Sequence, residues 1–280
     1  MGIRIIVDST SDISADQASR MNITIVPLKV IFGDKEYREG EEISIDEFYE
    51  KLVKSESLPT TSQPAPDDFL RYFKEAKSAG DKVIVLVIGS KLSGTFQSAV
   101  IAKEMVDYED IYVIDSKTST CSLRILVERA VDLRDKGVDA QEIVAKLMDL
   151  KERTVLIGLV DTLEYLHKGG RLSKSSALIG TLLKFKPIIA LKDGTIGLIA
   201  KERGVQKGIT RLIEAVSEMG EVDMDFPVYL GYAQHDDRCK RLREKLASTL
   251  GLSNITMYPV GCVIGTHVGP GACILTYVKK

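Results

Sequence analysis

Hydroxyl side chains gather where three apolar runs end: Ser9, Thr10 and Ser11 after residues 3–7, Ser90, Ser93 and Thr95 after 83–88, and Ser116, Thr118, Ser119 and Thr120 after 111–115. The middle group follows Val-Ile-Val-Leu-Val-Ile, mostly β-branched, which reads as a strand buried on both faces. Gly89 breaks that run, and the hydroxyls open a helix expected to continue to Met105. A buried strand that feeds a hydroxyl-rich turn and a helix N-terminus can hold an anion. The first-turn N–H groups lack intrahelical partners, and the helix dipole adds about half a positive charge there. Helix capping alone is the competing account, since a serine at an N-cap is ordinary and needs no ligand.

Other chemistries are harder to build from these residues. Gly89 and Gly94 have P-loop spacing, but Thr95 and Phe96 stand where Lys and Ser/Thr belong, which argues against a nucleoside triphosphate site. No GxGxxG follows an expected strand, which disfavours a dinucleotide enzyme. Residues 265–271, Gly-Thr-His-Val-Gly-Pro-Gly, read as a fixed, tight loop presenting His267. That histidine is either structural or a group that protonates to meet an anion or moves a proton. Arg171, behind Gly169 and Gly170, either aims at a cleft or pairs with a local carboxylate. His167 and His235 lie in charged, helix-like surroundings and are expected at the surface. A hydrolase with Ser93 as nucleophile, His267 as base and Asp115 as orienter has the right residue types. It lacks a nucleophile elbow, because Lys91 replaces the glycine two residues before Ser93.

A chain of 280 residues can bury a large core and make two domains or one large α/β unit. Its 38 basic and 40 acidic residues nearly cancel, so it carries no electrostatic footprint for nucleic acid. No apolar run approaches the roughly 18 residues of a membrane span. The N-terminus reads as a strand rather than a signal peptide, and Ile6 stands where myristoylation wants Ser or Thr. Cys121, Cys239, Cys262 and Cys273 show no CxxC spacing and are expected as buried free thiols, with no metal. The expected location is cytoplasmic.

These residues need a frame. Strands at 3–7, 23–32 (with Pro27 at an edge or bulge), 83–88 and 111–115 alternate with helices at 14–21, 45–53, 66–80, 120–137 and 140–150. Ser44 and Glu47 have capping-box spacing, and residues 59–64 form a polar loop. This alternation implies βαβ crossovers and a mostly parallel sheet with flanking helices, whose strand ends form one rim. From residue 155 the pattern changes. A strand at 155–160, a short helix at 163–167, a helix through Lys184 capped by Ser173, and strands at 187–191 and 196–200 around Asp193-Gly194 come first. Helices at 205–219 and 236–250 and strands at 228–233, 255–259 and 272–278 complete it. The fold class is α/β: an N-terminal domain at 1–154 with a mostly parallel sheet, and a C-terminal α+β domain at 155–280 with a mixed or antiparallel sheet. A small ligand is expected in the interdomain cleft.

Five segments occur in order: Asp8-Ser-Thr-Ser-Asp12, Thr61-Ser-Gln-Pro64, Ser90-Lys-Leu-Ser-Gly-Thr95, Lys168-Gly-Gly-Arg171 and Thr266-His-Val-Gly-Pro-Gly271. Each is weak alone. The ordered set resembles the DegV family of bacterial fatty-acid-binding proteins, from Ile3 to Tyr277. The resemblance implies two domains that hold one long-chain fatty acid between them and no cofactor. It implies a carrier rather than an enzyme: the acyl-binding subunit of a fatty acid kinase, whose separate ATP-dependent partner phosphorylates the carboxylate for phospholipid synthesis. By motif, Thr61 and Ser93 would bond the carboxylate with His267 nearby, and Ser62, Gly94, Thr95 and Thr266 would complete the set. Arg171 would serve the partner or the phosphate. His167 departs from the family pattern, where a second basic residue commonly precedes the lysine.

Hydroxyls and a helix terminus can hold a carboxylate out of water without a buried full charge. A sixteen-carbon tail would gain on the order of 10 kcal/mol from burial, at about 0.8 kcal/mol per methylene, before ordering costs. Leu163, Leu166, Leu178, Ile179, Leu182, Leu183, Ile188 and Ile189 are candidates for the tunnel wall, and each is equally an ordinary core residue.

Overall fold

A computed structural model describes residues 2–172 and 185–280. The expected helix from Ser173 to Lys184, and with it Leu178, Ile179, Leu182 and Leu183, lies outside them. The chain divides into two compact units, one of residues 1–43 and 61–152 and the other of 44–60 and 153–280. The later boundary falls two residues before the expected cut at 154, and residues 44–60 cluster with the second unit.

The chain opens with β1 (Ile3–Asp8), α1 (Ala15–Met21), β2 (Ile23–Val26), β3 (Lys29–Phe32), β4 (Lys35–Arg38) and α2 (Ile45–Lys54). It continues with β5 (Thr60–Ser62), α3 (Pro66–Ala79), β6 (Lys82–Val87), α4 (Thr95–Val106), β7 (Ile111–Asp115), α5 (Thr120–Asp135) and α6 (Ala140–Arg153). In the first unit β2, β1, β6 and β7 form a parallel sheet in that order. The alternation of apolar runs and helices therefore produces the expected βαβ layout, with fully buried Val85, Leu86 and Val87 in central β6.

The single strand expected at 23–32 is two strands in two sheets. Pro27 has no N–H to give a ladder, and the chain leaves the parallel sheet there. Leu28 N donates instead to Ser9 Oγ at 3.0 Å, and β3 pairs with β4 around Gly33-Asp34. The polar loop expected at 59–64 contains β5, third strand of that small sheet.

The second unit holds β8 (Thr154–Leu159), α7 (Glu164–Lys168), β9 (Lys186–Lys192), β10 (Thr195–Glu202), α8 (Val205–Met219) and β11 (Val228–Tyr232). It ends with α9 (Asp237–Leu250), β12 (Ile255–Pro259), α10 (Cys262–Val268) and β13 (Cys273–Val278). Its sheet runs β10-β9-β8-β13-β11-β12, antiparallel except between β11 and β12. The fold is thus α/β with one parallel and one mixed sheet. Amphipathic α8 and α9 bury Ile209, Leu212, Leu242 and Leu246 against Ile157, Leu159, Ile188 and Leu275 on one sheet face.

The tight loop expected at 265–271 is α10 for most of its length. Gly265 lets this helix approach α2, since a Cβ there would meet Tyr49 Oη at 2.6 Å and Phe48 Cε1 at 2.8 Å. Tyr49 Oη also donates to Val260 O at 3.1 Å, which is why residues 44–60 belong with this unit. Gly269 and Gly271, with φ near +73° and +74°, then turn the chain into β13. The four cysteines are free and buried. Among the described residues no helix is long and apolar enough to cross a membrane, and no His/Cys/Asp/Glu group could hold a metal.

Candidate functional site

Two of the three hydroxyl-rich turns spend most of their side chains on the fold. Ser9 Oγ donates to Glu39, Thr10 Oγ1 to Asp8, Ser11 Oγ to Asp8 O and Ser116 Oγ to Thr118 O. Thr120 Oγ1 donates to Asp12, fastening the turn after β1 to the start of α5. Asp8 is fully buried; it accepts from Thr10 N at 2.9 Å and Ile88 N at 2.6 Å. Burial pushes its pKa up to about 6 despite those bonds.

The turn between β6 and α4 divides its hydroxyls. Ser90 gives its N–H and Oγ to Asp115, at 2.9 and 2.6 Å, and Lys117 N adds a third bond at 3.0 Å. Burial works to raise the Asp115 pKa, but the Ser90 and Lys117 bonds, with Lys151 nearby, outweigh it and hold the group below the usual range. Asp115 therefore fixes a turn, and the Ser93–His267–Asp115 relay loses its orienter. Ser93 Oγ and Thr95 Oγ1 face each other at 2.8 Å across Gly94. Gly94 is the N-cap of α4 and supplies no side-chain cap, so the positive end of a twelve-residue helix lies directly beside that hydroxyl pair.

Thr61 is half-buried on β5, and Ser62 Oγ makes a local bond to Gln63 O at 3.2 Å. Gln63, which sequence reasoning passed over, reaches α4: its Nε2 donates to Ser98 Oγ at 2.9 Å. The residue is exposed as a whole, and nothing in the sequence marks that its amide reaches back to α4. Buried Arg124 was also missed, although a lone cation within Leu-Arg-Ile-Leu-Val is a readable signal. Its guanidinium bonds Asp12 O and Gln17 Oε1 and lies 3.5 Å from Glu128.

In the second unit α7, the Gly-Gly-Arg turn and α10 form another group. His267 is 9% exposed. Burial first, and Arg171 second, lower its pKa to about 4. Both act against protonation of the ring near neutral pH, which favours Arg171 over His267 as the group that would meet an anion. Arg171 donates to Gly169 O, and burial lowers its own pKa. Thr266 Oγ1 donates to Cys262 O at 2.9 Å within the helix, so its proton is spent there. Beyond α10, Asp161 binds Arg238 at 2.8 Å and also Lys186, while Arg238 donates to Gly271 O. His167 and His235 are exposed.

Among the described residues, the expected tunnel positions on β9 face opposite ways. Leu163 and Leu166 are buried. Ile188 and Ile189 are successive on β9 and point to opposite faces; Ile188 belongs to the core beneath α8, whereas Ile189 lies on the other face beside Gly158. Ile188 is therefore withdrawn from any wall that contains Ile189.

The fold is α/β with a hydroxyl-bearing helix N-terminus, a geometry that suits an anion, and the comparisons with known proteins narrow the class. A family model described as "Uncharacterised protein, DegV family" matches residues 2–280. A DegV domain-containing protein of Caldanaerobacter subterraneus subsp. tengcongensis is 36% identical over 278 residues, with 99% of each chain covered. Among solved structures, a fatty-acid-binding DegV family protein from Thermus thermophilus superposes with a TM-score of 0.90 at 33% identity, covering 99% of this chain and all of the other. The Streptococcus pneumoniae fatty acid kinase (Fak) B3 protein, loaded with linoleic acid, gives 0.86 at 27% identity and full coverage of both chains. The chain belongs to the DegV family.

Proposed function

We propose that this protein binds one long-chain fatty acid and presents its carboxylate to a separate ATP-dependent kinase for acyl-phosphate formation, feeding phospholipid synthesis in the cytoplasm. The observation that carries the reading is the Ser93–Thr95 hydroxyl pair at the start of α4. One hydroxyl of the pair donates to the other, which leaves one proton and the helix terminus for an anionic oxygen, and Thr61 adds a further hydroxyl. The relatives support the reading, since the Thermus protein is described as fatty-acid-binding and the Streptococcus protein belongs to a fatty acid kinase. In this assignment His267 works as a neutral hydrogen-bonding group, Arg171 as the cation that meets partner or phosphate, and the chain as carrier rather than enzyme. The tail is assigned to apolar residues of the second unit, among them Leu163, Leu166 and Ile189.

Denaturing extraction of freshly purified protein, followed by mass spectrometry, should yield about one acyl chain per protein. Several preparations without a stoichiometric acyl species would overturn the reading. A fluorophosphonate probe should leave Ser93 unlabelled, and covalent labelling there would reinstate a hydrolase.

A further inference from the structure

Gly94 separates the two facing hydroxyls, and its backbone does not explain why it is glycine. Its φ and ψ of −75° and 7° are open to other residues. The space beside it is not open. A Cβ built there would come within 1.9 Å of Gln63 Oε1, 2.6 Å of Cδ and 2.9 Å of Nε2. The Gln63 amide thus occupies the place of the missing side chain, while its Nε2 donates to buried Ser98 Oγ one turn into α4. One side chain both packs on the N-cap and bonds the helix it opens.

Gln63 comes from the segment that carries Thr61 and Ser62, some thirty residues earlier in the chain. Two residues of extended chain span at most about 7 Å, so fixing Gln63 confines the Thr61 backbone relative to α4. We propose that Gln63 is a positioning residue that sets the Thr61 hydroxyl against the Ser93–Thr95 pair, and so sets a preference for a carboxylate over a neutral head group. The inference rests on the carboxylate reading above. A carboxylate offers two charged oxygens and gains from donors on both segments, whereas an alcohol offers one neutral oxygen and needs only one of them. Sites of this kind lose function when donors drift by about 0.5 Å. Loosening Gln63 therefore penalises the acid selectively, while tail burial is common to both ligands.

The test uses delipidated full-length protein with palmitic acid and 1-hexadecanol as probes, each displacing a fluorescent acyl analogue. Gln63→Ala should weaken palmitic acid about tenfold, the scale of a bond to a charged group, with hexadecanol essentially unchanged. Gln63→Met, which fills the space but cannot donate to Ser98, should do the same. Equal loss for both probes, or no loss for either, overturns the proposal. A melting cycle tests the lock without any ligand. Gly94→Ala should lower the melting temperature when Gln63 is present and leave it nearly unchanged in the Gln63→Ala background, where the Cβ has room. An equal loss in both backgrounds shows that the amide does not hold Gly94 and overturns the lock. If the wild-type protein binds neither probe, the fatty-acid reading fails and the selectivity falls with it, while the melting cycle still decides the lock.

Discussion

A Cβ on Gly169 would come within 2.3 Å of His267 Nδ1, so the turn after α7 touches α10 at a point with room for a hydrogen and nothing larger. The same turn carries Arg171, whose charge acts with burial to keep the imidazole neutral. One short segment therefore fixes the place of the histidine and adds to the burial that keeps its ring neutral.

Gly169→Ala should destabilise the protein by about 1–3 kcal/mol, the range for overpacking, and displace His267. Gly170→Ala is the control. Its φ of +71° favours glycine, but a Cβ there meets nothing within 4 Å, so its cost should be about 1 kcal/mol of backbone strain. Urea unfolding of both variants checks this, and an equal cost at the two positions would remove the steric argument.

Asp8 and His267 should pull stability in opposite directions over nearly the same pH range. The Asp8 pKa rises from 3.8 to about 6 on folding, so the native state holds the extra proton and stability falls as pH rises through that window. The His267 pKa drops from 6.5 to about 4, so the unfolded state holds the extra proton and stability rises with pH between those values. Asp8→Asn should be less stable throughout, because one acceptor oxygen replaces two. Its difference from wild type should nonetheless shrink by about 2 kcal/mol between pH 4 and pH 6.5, the part of the shift, at 1.36 kcal/mol per pKa unit, that falls within that range. Unfolding free energies across that range provide the measurement, and a difference independent of pH would mean that Asp8 titrates normally in the fold.

Ser93→Ala and Thr61→Ala should each cost about 1–2 kcal/mol of fatty-acid affinity, the scale of a lost bond to a charged group. Neither should lower the urea midpoint appreciably, since Gly94 is the N-cap of α4 and Thr95 N reaches Ser93 Oγ only at a long 3.4 Å. Loss of stability in step with loss of binding would return Ser93 to a purely structural role.

The sequence made the parallel sheet readable because its strands are apolar on both faces and its helices carry strong end signals, such as Ser44 and Glu47, which form the expected capping box. It hid α10, because Gly265, Gly269, Pro270 and Gly271 look like loop chemistry. The reason for Gly265 is contact with Phe48 and Tyr49, more than two hundred residues away. The broken strand at Pro27 was half legible: the proline marked a disturbance, and the bond from Leu28 N to Ser9 decides its form. At the site, residue types indicated hydroxyls and a histidine. Which hydroxyls are spent on the fold, as Ser90 is on Asp115 and Thr266 on Cys262, depends on partners brought in by tertiary structure. Likewise the charge of His267 follows from its burial, which local sequence does not encode.

With His267 neutral, the charge that builds on a transferring phosphoryl group falls to Arg171 if the carrier reading holds. Such a cation interacts more strongly with the transition state than with the bound acid, so it should appear in turnover rather than in fatty-acid affinity. Arg171→Ala should retain most palmitic acid binding and lose acyl-phosphate formation in a reconstituted assay with the kinase partner. His267→Ala should also bind palmitic acid, but its loss of turnover should be independent of pH between 6 and 8, because no proton leaves or joins the ring in that range. Removing Arg171 should also let the His267 pKa rise from about 4, while burial, the larger cause, keeps it below 6.5. Imidazole NMR titration of the Arg171→Ala protein reads that shift directly. An unmoved titration midpoint would separate the two residues electrostatically, and a wild-type rate of acyl-phosphate formation in both variants at every partner concentration would remove the phosphotransfer role from each.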